Sequence, residues 1–148
     1  FALIQYVVLG LESKSRLSKF IYGSHSTQIA GKINCPVIIV PEKYKAHRIQ
    51  KAVLCVDTPK SVDHKALKKI TDFSSRFQYD LSKVHVRTPE EISFDKPSET
   101  KKPDLEVVES GEFVDGVIRY SKEKNKDLII IVSQTHSPIY NLFIERNN

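Results

Sequence analysis

Apolar runs of strand length recur along the chain, and segments with helical spacing fill the intervals between them. Tyr6-Val7-Val8-Leu9 stops at Gly10, Val37-Ile38-Ile39-Val40 is β-branched throughout, Ala52-Val53-Leu54-Cys55-Val56 stops at Asp57, and Leu128-Ile129-Ile130-Ile131-Val132 stops at Ser133. Runs with no polar alternation mark parallel strands buried on both faces. Shorter, less regular strands are expected over residues 81–86 and 105–108. Residues 62–79 place Val62, Ala66, Leu67, Ile70, Phe73 and Phe77 on one helical face, with Ser61 as candidate cap. Residues 112–126 turn Phe113, Val114, Val117, Ile118 and Tyr120 inward. Nearer the start, Leu17, Phe20 and Ile21 give residues 14–22 one apolar side, and Ser24 or Ser26 caps a helix whose Ile29, Ala30 and Ile33 face the sheet. Strand alternating with helix predicts an α/β fold, an open parallel sheet flanked by helices and joined by right-handed crossovers.

Two segments break this rhythm. Residues 42–50 are polar and basic, and within them residues 45–50 are the expected linker between a partial first domain over 1–44 and a second domain over 51–148. Residues 88–104 carry Pro89, Pro97 and Pro103 among many charges and read as one long loop. Loops of that length are uncommon in compact domains, so a mobile segment or a deletion is expected there.

Composition narrows the function classes. With 148 residues, 40% hydrophobic and 28% charged, the chain matches ordinary globular proteins. No apolar run approaches the roughly 20 residues that span a bilayer, and no secretory signal is visible, so a cytoplasmic protein without a membrane partner is expected. The net charge of +5 raises nucleic acid, but the lysines alternate with acids, as in Lys122-Glu123-Lys124-Asn125-Lys126-Asp127. That is the pattern of a solvated helix face, and no nucleic-acid partner is expected. Cys35 and Cys55 lie in apolar runs without CxxC spacing and read as buried small hydrophobes. His25, His47, His64, His85 and His136 are isolated, which gives a metal site no support. A first residue Phe1 in place of Met, already inside an apolar segment, leads to the expectation that the chain is a fragment.

The chemistry concentrates in residues 6–41. The backbone is expected to turn sharply at Gly10, at the carboxyl end of a strand, where open α/β sheets take their ligands. Gly23 followed by Ser24, Ser26 and Thr27 then opens a helix whose free N–H groups and hydroxyls suit an anion. The segment is a candidate phosphate cradle.

The spacing Gly10, two residues, Ser13, nine residues, Gly23-Ser24, followed by Cys35-Pro36-Val37-Ile38-Ile39-Val40-Pro41, resembles the universal stress proteins. Their nucleotide-binding members carry Gly where this chain has Ser13. A Ser there costs on the order of 1 kcal/mol if the position takes positive φ. The resemblance implies a Rossmann-like, adenine nucleotide α-hydrolase-like fold and a cytoplasmic stress-response role. It implies ATP or AMP held by Gly10, Ser13, Gly23, Ser24, His25 and Ser26, with magnesium only as companion of the nucleotide. Asp57 matches the family's first-strand Asp near the adenine. The strand over 37–40 implies a homodimer. Enzymatic activity is expected to be absent or limited to weak ATP hydrolysis, since no Ser-Gly-Gly-x-Asp-Ser loop and no paired carboxylates at a strand end are visible.

The run Ile129-Ile130-Ile131-Val132-Ser133 restates Tyr6-Val7-Val8-Leu9-Gly10, and at that offset Ser13 falls on His136, Gly23 on Arg146 and Ser24 on Asn147. Both glycines of the cradle are lost in the second copy. A tandem protein with one degenerate nucleotide loop is therefore expected. The alternative reading is a ligand-free dimerisation or interaction module of the same fold.

Overall fold

The computed structural model describes residues 5–11, 32–33, 35–56, 63–94 and 104–132. These divide into two compact units, the first ending at His47 and the second beginning at Arg48. In the first, β1 (Val7–Leu11) pairs in parallel with β2 (Val37–Pro41), Val7 opposite Val37 and Gly10 opposite Val40. The short helix or ordered loop expected over residues 14–22 lies outside the described residues, and the helix expected over 24–33 falls largely outside them. The amide of Tyr44 donates to the carbonyl of Pro41 at 2.9 Å, closing a turn at the start of the exposed 42–48 stretch.

The second unit contains β3 (Lys51–Cys55), α1 (His64–Phe77), β4 (Asp80–Arg87), α2 (Pro89–Phe94), β5 (Leu105–Glu109), α3 (Phe113–Glu123) and β6 (Leu128–Ile131). Its four strands form an all-parallel sheet in the order β5-β4-β3-β6. Register sorts the side chains. Cys55 stands opposite Val84 and Ile131, so Val53, Cys55, Val84, Val86, Val108, Ile129 and Ile131 share one face, which α3 covers with Phe113, Val117 and Tyr120. Leu54, Val56 and His85 belong to the other face, where α2 brings Glu91 to His85. Helices α2 and α3 lie on opposite faces, as crossovers of one hand require when the β4-to-β5 and β5-to-β6 connections run in opposite directions along the sheet.

The sheet begins on a carboxylate. Asp127 Oδ2 accepts the amide hydrogens of Gln50 and Lys51, each at 2.9 Å, while the amide of Asp127 donates to Lys51 O at 2.8 Å. This exchange sets the register between β3 and β6.

Several expectations change. The cap of α1 is Asp63, whose Oδ1 accepts from the amide of Lys65 at 3.2 Å; the expected cap Ser61 lies outside the described residues. Residues 88–104 are not one long loop, because α2 opens on Pro89. Pro at the first helical position loses no internal hydrogen bond, and Glu90 and Glu91 complement the positive end of the helix. Gly10 does not turn the chain: it lies inside β1, which runs on through Leu11. Nor are β1 and β6 buried on both faces. Val8 is 57% exposed, and Leu128–Ile131 are half-buried throughout, since β6 ends the sheet order and has only β3 as a described neighbour. Cys55 is buried, whereas Cys35 is half-buried.

Next to the core, the Tyr120 hydroxyl donates to Glu106 Oε1 at 2.8 Å and Lys124 Nζ stands 3.3 Å from Glu106 Oε2. The Tyr120 hydrogen bond, with help from Lys124 and Lys126, holds the Glu106 carboxyl below its usual range. A depressed carboxyl stabilises the fold above its unfolded-state range and loses that contribution as pH falls through its folded value. Glu106→Gln is therefore expected to lower stability at neutral pH by about 0.5 kcal/mol, a small figure because the side chain is half exposed. In urea titrations the gap between the two proteins should close below the ordinary carboxylate range. A gap that persists in acid would assign the effect to something other than the charge.

Candidate functional site

The carboxyl ends of parallel strands are the ligand edge of an open α/β sheet, most of all where the strand order reverses. In the first unit that edge is the exit of β1. Gly10 is exposed, and a Cβ built on it meets nothing within 4 Å among the described residues, so none of their atoms demands glycine there. Of the cradle residues, Gly10 alone is described; Ser13, Gly23, Ser24, His25 and Ser26 lie outside the described residues, as does Asp57.

In the second unit the order reverses between β3 and β6. Cys55 ends β3, and Val56 continues it far enough for its amide to donate to Val84 O at 2.9 Å. Val56 remains buried at the point where the chain leaves the sheet towards Asp57. Beside it lies His85, 7% exposed, the one buried histidine among the described residues. A carbonyl oxygen only accepts, so the His85 Nδ1–H donates to Val56 O, at 3.0 Å. On the other side of the ring, Nε2 stands 3.3 Å from Glu91 Oε2 of α2, a contact that attracts only when the ring carries a second proton.

Sequence reasoning passed over both residues. His85 was legible as a polar position inside a Val-rich strand, Val84-His85-Val86. Glu91 gave no signal, because its partner lies across a strand-to-helix turn that no periodicity spans.

The remaining reactive groups are not poised for chemistry. Burial pushes the Cys55 thiol up to about 12, which leaves it protonated and unreactive. Among the described residues no three His, Cys, Asp or Glu side chains converge on a metal-sized space. None of the described helices is long and apolar enough to cross a membrane.

Comparison with protein-family models, with curated proteins and with solved structures finds no match.

Proposed function

We propose that the chain is a tandem universal-stress-protein-type module, in which the segment from Gly10 to Ser26 binds the phosphates of an adenine nucleotide. ATP and AMP are the candidate ligands, magnesium entering only with the nucleotide, and the working form is a cytoplasmic homodimer in a stress response. The observation that carries the reading is the parallel pairing of β1 with β2. It makes the Gly-Ser segment the crossover that leaves the carboxyl end of β1, where an open α/β sheet takes ligands. One further point agrees with it: the second unit is also built as a parallel sheet.

Equilibrium dialysis with ATP tests the reading. The wild-type protein should bind saturably, and Gly23→Asp should weaken binding by about tenfold or more, because it sets a carboxylate against phosphate and removes a glycine. No binding at millimolar ATP, with both proteins behaving alike, removes the nucleotide and leaves the interaction module.

A further inference from the structure

We propose that the outer face of α1 is a docking surface for the phosphate backbone of a nucleic acid duplex. Lys65, Lys68, Lys69 and Arg76 are all exposed there, along about 16 Å of helix. Asp72 is the one acid in the helix, and Asp63 before it is engaged as the cap. Lys65, Lys68 and Lys69 enter no ion pair among the described residues; the pairs formed there engage other cations, Arg87 with Glu109 and Lys124 with Glu106. Past the last turn, Arg48 donates to Gln78 Oε1 at 3.1 Å and adds a cation at that end. The alternation of lysine with acid that speaks against nucleic acid over residues 122–127 does not extend to this helix.

Helix stability does not explain these charges. The first turn of a helix is electrically positive and favours acids. Helix α2 follows that rule with Glu90 and Glu91, and α3 with Asp115, whereas α1 has no acid in its first turn and carries Lys65 there. A local rule broken with no gain in packing marks a face shaped by function. The chemistry of the face selects the partner. Leu67, Ile70 and Phe73 lie on the opposite side of the helix and are half-buried, so the cationic face has no apolar residue to sink into lipid. It also has no Phe, Tyr or Trp on which the bases of a single strand could stack. A row of cations on a rigid helix suits the closely spaced charges of a duplex backbone. The inference concerns the second unit alone and holds whether or not the first unit binds a nucleotide.

The test is fluorescence anisotropy of the full chain on a labelled duplex of about 20 base pairs, without ATP, in salt from about 20 to 200 mM. Each lysine that neutralises a phosphate adds about −0.9 to the slope of log affinity against log salt, so the lysines of α1 predict a slope of about −3 or steeper. Lys68→Gln should make the slope shallower by about 1, and Lys68→Gln with Lys69→Gln by about 2. Gln has nearly the helix propensity of Lys, so α1 should stay folded, which circular dichroism checks. Lys68→Arg with Lys69→Arg should keep the wild-type slope, and so should Lys122→Gln on α3. A second duplex of unrelated sequence should bind equally well. An unchanged slope in the double Gln variant overturns the proposal, as does absence of binding at the lowest salt. Tighter binding to vesicles rich in phosphatidylserine, lost in the same variant, also overturns it and assigns the face to a lipid surface.

Discussion

Gly116→Val should unfold the second unit, or cost it about 3 kcal/mol or more, the upper end of overpacking in a close-packed core. Gly116 lies in α3 where the helix crosses β4, and a Cβ there would come within 2.6 Å of Val86 Cγ1 and 2.8 Å of Ser110 Cβ. Neither neighbour retreats easily. Val86 is buried in the sheet core, and Ser110 is fixed by its amide bond to Arg87 O at 3.0 Å. An Ala at 116 sets a gain of about 1 kcal/mol in helix propensity against the same clash. It should therefore destabilise less than Val, and Val86→Ala should relieve part of the loss in the double variant. Because two units in one chain need not unfold together, the unit must be read by itself. Labelling of the buried Cys55 thiol under increasing urea does this. Wild-type labelling in both Gly116 variants would mean that α3 stands off the sheet.

Leu54→Ala is expected to cost about 2–5 kcal/mol, a large share of the roughly 5–15 kcal/mol that holds a typical domain. Leu54 is fully buried in β3, between Lys83 of β4 and Ile130 of β6 in register, and its whole side chain is lost to water on folding. Truncation removes that burial and leaves a cavity which a hydrogen-bonded central strand cannot close. Val107→Ala, on the same face of the sheet but 40% exposed, should cost less than about 1 kcal/mol. The two variants measured side by side check the assignment. Similar losses would show that burial on this face is set by something other than strand position.

The run Ala52-Val53-Leu54-Cys55-Val56 by itself determined a buried strand, and the spacing of Leu67, Ile70 and Phe73 a helix, because strand and helix periods follow from local backbone geometry. Helix–strand alternation with no short hairpin turns was enough for a parallel α/β sheet. Burial was another matter. The same kind of run is fully buried at β3 and half-buried at β6, because the number of neighbouring strands, not composition, sets how much of an apolar strand is covered. Helix α2 was lost among its prolines, although Thr88-Pro89-Glu90-Glu91 is a helix start once Pro89 is read as its first residue. Of the cradle, Gly10 was legible as a position and not as a turn. The pairing of His85 with Val56 and Glu91, and the close approach of α3 over Gly116, were decided by tertiary structure alone. Both depend on distances between elements that the order of residues along a chain does not carry.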